Sequence, residues 1–505
     1  MVTRQLLIRE SRMRPQKGIG RCAAIFGREN NMATGTTLSD KFSLRGYWWL
    51  PATPDRQVTG TLSFDPDGEA ELEVDGTLRE LPTGILQSYF HAPVIHGHTL
   101  DDKACTLSDA HESRFQLHLP GEATSRFFFN RLFIGKQTVD PSSTRFESAL
   151  VDFTDLRGWM HRDPFTEQSN LGAPDNPSLT TAYAMPPLIS VDVPAIAAAI
   201  ALEPTFSASW SYQRRTLAHG ESIRITPRER QDASWYLNAI AKFQMLLSLF
   251  VGEPVNFLAM RLCTDVKQPP EHGGKPLREY VEFCFRQVGK KNTKELLPPE
   301  IPFPYPSLAD EFPQALNNWY RKADALSTIS GLFFGISVNR GVPIEFQFLT
   351  LIQALESYHR TQGMDKYVSD EEYPPIRDAL IAAIPKTLAQ DFRAALKSRL
   401  KYGNEHSLRK RLEMTLGLVP TKLRQEITES NLLFVEQIVQ TRNYLTHRDE
   451  SQKEHVLNLR GMFNASSALR LLIAVLLLCE VGLPADRLED VMCGHEKYKN
   501  RPRIL

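Results

Sequence analysis

Near the C-terminal end of the chain, an amphipathic stretch finishes in a cluster of groups suited to a phosphodiester. It reads Phe434-Val-Glu-Gln-Ile-Val-Gln-Thr-Arg-Asn-Tyr-Leu-Thr-His-Arg-Asp449. Leu432, Val435, Ile438 and Val439 supply its apolar face at helical spacing. Arg442, Asn443, His447, Arg448 and Asp449 then crowd its end. His447 can exchange a proton near neutral pH. Arg442 offers a planar fork that matches a phosphate and stabilises charge added in a transition state. Asn443 can donate to a phosphate oxygen or hold the imidazole. Asn443 and His447 are four residues apart and share a helix face. Arg442 and His447 are five apart, about 140° around an ideal helix. Their convergence needs the length of Arg442, a distorted helix end or a second protomer. With no carboxylate cluster to hold a metal, the trio suits metal-independent RNA cleavage. There the 2′-hydroxyl attacks its own phosphate, leaving a 2′,3′-cyclic phosphate and a 5′-hydroxyl. A structural reading competes: Arg and His at a helix C-terminus favour its dipole, Asn443 begins a cap, and Tyr444 packs.

Other segments carry weaker chemistry. His96-Gly-His-Thr-Leu-Asp-Asp102 partly matches the H-x-H-x-D-H ligand run of metallo-hydrolases, but its acid comes one residue late and no His follows. His91 and His111 stand nearby, so a metal-dependent hydrolase is a further, weaker alternative. A strand and turn with polar edges is the expected reading, and no metal or other cofactor is expected. The chain has no G-x-x-x-x-G-K-[ST], so nothing supports an ATP-driven activity. Lys397, Arg399 and Lys401, with Arg409, Lys410 and Arg411, form the densest basic stretch. Such runs are usually a solvated face; here they are also the candidate contact for an RNA backbone.

Composition bounds these options. The 505 residues are 42% hydrophobic and 23% charged, which excludes a mostly disordered chain. Lys+Arg and Asp+Glu stand at 59 each, so bulk attraction to nucleic acid is excluded and any RNA must be met by a local, shaped cleft. Six cysteines are scattered without a C-x-x-C, which argues against a disulfide framework or zinc ribbon and for a reducing compartment. The longest apolar run, Leu471 to Cys479, is about half of what a bilayer crossing needs. The Arg-rich N-terminus lacks the apolar run of a secretory signal. A cytoplasmic protein without a membrane partner is expected.

The elements that must position the cluster follow from patterning. Residues 1–35 read as a flexible tail, with Met32 as an alternative start. Residues 36–225 read as a β-rich domain, sandwich- or barrel-like, on strands such as Phe42–Leu50, Gln57–Phe64, Ala70–Val74 and Arg126–Ile134. The turn formers from Pro164 to Pro187 predict a long loop or subdomain break. Residues 226–296 read as a mixed α/β connection: a helix from Pro227 to Val251, started at Asp232, then strand-like runs Val255–Cys263 and Glu279–Phe285. Five prolines between Pro298 and Pro306 predict a stiff linker over 297–306 and the main domain boundary. Residues 307–495 read as a bundle of six or seven helices, predicted at Ala309–Phe334, Ile344–Arg360, Pro375–Ala383, Leu388–Lys401, Ser407–Gly417, Asn431–His447 and Lys453–Glu480. The fold class is multidomain α+β.

With the motif on a late helix of an all-α domain, Arg442-Asn-Tyr-Leu-Thr-His447 resembles the R-x4-6-H motif of the HEPN superfamily (higher eukaryotes and prokaryotes nucleotide-binding). Leu355-Glu-Ser-Tyr-His-Arg360 is similar to the early-helix L-E-x stretch of Apea-like HEPN domains. Leu44-Arg-Gly-Tyr-Trp-Trp-Leu50 and the Ile95-His-Gly-His-Thr … Cys-Thr-Leu107 stretch resemble the N-terminal domain of ApeA-type proteins. The resemblance covers most of the chain from about residue 40. It implies an anti-phage factor of the abortive-infection type whose HEPN domain is a ribonuclease, tRNA being among the family's substrates. Arg442 and His447 match the catalytic pair and Asn443 the polar motif position. Glu356 matches an early-helix acid that would orient one of them. The resemblance further implies a homodimer or higher oligomer through the helical domain, with two motifs lining one cleft, a phage-derived trigger, and a regulatory or sensing front domain. Some HEPN domains are instead inactive modules that bind RNA or protein.

Overall fold

The structure is a computed structural model that describes residues 38–79, 90–116, 123–135, 137, 140–172, 176–267, 277–287, 295–339, 341–363, 365–448 and 456–501. The expected N-terminal tail lies outside the described residues. Alternation of apolar and polar residues turns the front of the chain into strands. In β1 (Phe42–Trp49) and β2 (Val58–Phe64), Trp48, Leu62 and Phe64 point inward, and β3 (Ala70–Val74) follows a turn in which Asp65 accepts from the Asp67 amide at 3.0 Å. β4 (His91–Thr99), β5 (Ala104–Gln116) and β6 (Thr124–Ile134) complete a closed antiparallel barrel of six strands, in the circular order β1-β2-β3-β6-β5-β4. Trp48 fills the barrel and donates to the Gly60 carbonyl at 3.2 Å. Gly97 lies against its ring, where any Cβ would collide.

The barrel is half of a larger construction. The last residues of β6 also pair with β14 (Leu277–Phe285), which continues through β13 (Phe257–Lys267), β7 (Ser148–Phe153), β12 (Arg215–Pro227), β11 (Ala198–Trp210) and β10 (Ile189–Val193). One 12-stranded sheet therefore runs from the barrel into an open wing. Two helices cover the wing. α1 (Leu156–Met160) buries Trp159, and α2 (Ala233–Val251) starts where Asp232 accepts from the Trp235 amide. α2, β13 and β14, which fall in the region 226–296 expected as a connection, thus belong to the front unit. The expected loop at 164–187 holds a two-stranded hairpin, β8 (Phe165–Asn170) and β9 (Ser178–Tyr183). The buried His219 and Glu221 of β12 hold it: Tyr183 Oη lies 3.1 Å from His219 Nδ1, and His219 Nε2 lies 3.0 Å from Glu221. Its two strands face water on nearly every residue, so no hydrophobic alternation announces them.

The proline segment is not a free spacer. Ile301 and Phe303 are buried, Trp159 Nε1 donates to the Phe303 carbonyl at 2.9 Å, and Tyr305 meets the Trp159 ring edge-on. Proline denies helix or central strand to this stretch, but its apolar rings still seek the core. The helical part then follows: α3 (Tyr305–Leu308), α4 (Phe312–Lys322), α5 (Ser327–Val338), α6 (Ile344–Thr361), α7 (Tyr373–Ala382), α8 (Gln390–Lys401), α9 (Leu408–Gly417), α10 (Thr421–Thr428), α11 (Phe434–His447), α12 (Leu459–Glu480), α13 (Ala485–Gly494) and α14 (Glu496–Lys499). The single helix expected at 309–334 is two, broken where Ser327 hydrogen-bonds the Asp324 carbonyl instead of extending the helix. α10 and α13 were not anticipated; both are short. α4 joins the halves: Trp319 and Tyr320 donate to the Lys242 and Ala239 carbonyls of α2, and Asn318 donates to Val481 beyond α12. α12 is long and apolar enough to cross a bilayer, yet 72% of its most apolar window is buried, as befits the central helix of a bundle.

Candidate active site

The site is built on α11. Phe434, Ile438 and Thr441 recur at spacings of four and three and form its buried face against α9. Thr441 Oγ1 accepts from the Leu457 amide at 3.0 Å, tying down the chain where it returns toward α12. Once that face is committed inward, the next residues must turn outward. Arg442 and Asn443 are half-buried, and His447 is exposed as the last helical residue. Arg448 then adopts the left-handed conformation, φ 51°, and its amide donates to the Tyr444 carbonyl at 2.8 Å. A non-glycine residue there is uncommon. It makes a sharp stop, so His447 stands at the rim of the bundle. Asp449 lies outside the described residues.

The helix keeps its regular pitch through the motif, so Arg442 and His447 retain their separation around the axis. Arg442 Nη1 donates to Asn443 Oδ1 at 3.3 Å, and Thr446 Oγ1 donates back to the Arg442 carbonyl at 2.5 Å. Among the described residues, Arg442 and His447 do not contact one another. Glu356 is half-buried on α6 and makes no ion pair with Arg442 among the described residues. The α6 end engages other acids: Arg360 pairs with Glu405 at 2.9 Å, and Tyr358 donates to Glu480 at the end of α12. Burial disfavours its charge, but hydrogen bonds from Lys322, Tyr358 and Gln362 prevail and hold its carboxyl below the ordinary range.

The basic stretch divides. Lys397, Arg399 and Lys401 on α8, and Lys410 on α9, are exposed. Arg409 is exposed but paired with Glu436 of α11. Arg411 corrects the expectation of an RNA contact: it is 4% exposed, donating to the His406 carbonyl at 2.8 Å and to Glu405 at 2.8 Å. Helical periodicity explains the division. Arg409 and Arg411 lie about 200° apart around α9, so one reaches α11 and the other the side of α6. There Arg411 sits with His359, 1% exposed, and His406, 8% exposed, whose rings meet edge-on at 5.6 Å. Burial, with Arg411 and His406 adding to it, pushes the His359 imidazole below its ordinary value, so its neutral form is favoured. Sequence reading missed this cluster because nothing local marks His359 and His406 as neighbours.

On the barrel, the His96-Gly-His98 run does not gather ligands. His96 is buried against Trp49, and His98 pairs with Asp102 at 3.2 Å. The five described cysteines are free thiols, as the scattered spacing suggests.

Residues 43–319 match the family described as ApeA N-terminal domain 1, and residues 349–487 match Apea-like HEPN. No curated protein and no solved structure matches the chain. The first match runs through the proline segment into α4, as the packing of Trp319 on α2 leads one to expect. With the barrel and wing inside one match, and the R-N-x-x-x-H helix inside the other, the chain belongs to the ApeA family and carries an Apea-like HEPN domain at its C-terminal end.

Proposed function

We propose that the protein is an anti-phage abortive-infection factor, with its HEPN domain acting as a metal-independent endoribonuclease and its front unit sensing or restraining it. Family membership points to defence against phage. The observation that carries the catalytic reading is the end of α11, where an exposed imidazole, a half-buried guanidinium and an amide are presented together. His447 takes the proton of the attacking 2′-hydroxyl or returns one to the leaving 5′-oxygen. Arg442 binds the phosphate through its fork and stabilises the charge that builds on it. Asn443 orients one of them.

One chain does not bring His447 and Arg442 together, so the working site is a cleft between two copies, in which the imidazole of one chain meets the guanidinium of the other. Lys397, Arg399, Lys401 and Lys410 remain as surface groups for the RNA backbone; tRNA is the substrate the family suggests. The site is proposed to act in the cytoplasm.

Sequencing of cellular RNA ends after expression of wild type and His447→Ala tests this. The expected outcome is new 2′,3′-cyclic-phosphate and 5′-hydroxyl ends with wild type alone, and cleavage by the purified protein in EDTA. Unchanged cleavage by His447→Ala at native thermal stability would overturn it. A non-catalytic binding module is the second reading, and RNA binding without cut ends would favour it.

A further inference from the structure

We propose that His91, Asp109 and His111 form a binding site for one divalent transition-metal ion of the zinc type on the outer wall of the barrel. Strand register builds it. The turn between β4 and β5 pairs His91 directly with His111, and β5 to β6 pairing sets Asp109 beside Asn130. His91 Nε2 lies 3.0 Å and His111 Nε2 3.3 Å from the same oxygen, Asp109 Oδ1, and all three donor atoms fall within 4.8 Å of one another. Ligands about 2.1 Å from a tetrahedral centre sit roughly 3.4 Å apart, so the donors already stand near coordinating distance.

Three further features favour an ion over a simple hydrogen-bonded trio. The imidazoles stack at 4.4 Å, so two protonated rings would repel, whereas one cation serves both as acceptor of their lone pairs. Asn130 Nδ2 donates to the other carboxylate oxygen, Asp109 Oδ2, which fixes the orientation of Oδ1 as a supporting shell does. Asp109, which shares a strand face with His111, itself holds φ at 59°, a backbone conformation that L-residues rarely adopt and that collects at functional sites. Two imidazoles and one carboxylate suit zinc or a neighbouring first-row ion better than magnesium or calcium, which want oxygen. The His91 and His111 side chains are 47% and 58% exposed, so the fourth position opens to water or to an incoming anionic group.

The test uses the full chain, stripped with chelator and dialysed, then titrated with zinc chloride against a chromophoric competitor while thermal unfolding is followed. The expected result is one saturable equivalent that raises the melting temperature. His111→Gln, or His91→Gln if the first variant does not fold, loses that equivalent. Asn130→Ala keeps it roughly 10- to 100-fold weaker. His98→Gln, on the other histidine–aspartate pair of the hairpin, leaves it unchanged, and calcium does not compete. No saturable equivalent in wild type, equal binding by a folded His91 or His111 variant, or its loss in His98→Gln would overturn the proposal. Metal binding is read without reference to RNA cleavage, so it stands or falls independently of the reading of α11.

Discussion

The helical domain sets histidine near arginine in two places that the same chemistry cannot serve equally. At the end of α11, His447 is exposed, close to Arg442 in sequence, and committed to no partner among the described residues. Between α6 and α9, His359 is enclosed, with Arg411 and His406 discouraging its proton. Both regions combine imidazole and guanidinium, yet only the first presents its imidazole to solvent. The second spends its polar groups on joining helices: Arg411 and Arg360 converge on Glu405, at 2.8 and 2.9 Å. The contrast teaches that residue type alone does not identify a reaction centre. Access and freedom from internal partners decide it.

The largest expected effect separates the two directly. His447→Ala should lower RNA cleavage by about 10²- to 10⁴-fold, the usual worth of a general acid or base, with the melting temperature unchanged. His359→Phe should keep cleavage at native level. The opposite pattern in a single-turnover assay would invert the assignment. Next comes Arg411→Ala, expected to destabilise folding by about 3 kcal/mol in urea titration, toward the low end for breaking a buried pair because Glu405 keeps Arg360. Loss of RNA affinity without loss of stability would return Arg411 to the binding surface.

A smaller effect is pH-dependent. The folded state holds the His359 proton affinity below the ordinary 6.5 of the unfolded chain. The unfolded chain therefore binds more protons in that window. His359 contributes its full stability above pH 6.5 and loses it as pH falls through the folded value. Melting temperatures from pH 7.5 to 5 should decline less steeply in His359→Phe than in wild type. Smallest of all, Arg409→Ala should cost at most about 1 kcal/mol, since its pair with Glu436 is partly exposed.

Much of this architecture was legible in the chain. The alternation around Trp48 and Leu62, the Asp65 turn and the Asp232 cap each act within a few residues, so they read locally. The bundle and α11 read from apolar spacing alone. What escaped depended on distant partners. The β8–β9 hairpin has no buried face of its own, and its anchor is His219, 36 residues beyond Tyr183. The buried Arg411 looked like its neighbours because exposure is set by which helices flank α9. The grouping of His91 with His111 was within reach: they stand at equal distance from the turn centred on Asp101, and antiparallel pairing makes them opposite. Asp109, two residues before His111, falls on the same strand face by alternation; what could not be read is the hydrogen bond from Asn130 of the neighbouring strand that holds its other oxygen.

The burial of Phe303 has a practical meaning for anyone cutting this protein apart. Ending a fragment before Phe303 leaves an empty slot beside Trp159, and beginning one at 307 strands Phe312 and Trp319 in water. Added protease should nick other loops first, and a lone C-terminal piece should aggregate rather than report on the proposed site at the end of α11. Truncations that follow the family boundary at residue 319 inherit the same difficulty, because the cut falls inside α4 and severs Tyr320 from the α2 carbonyl it donates to.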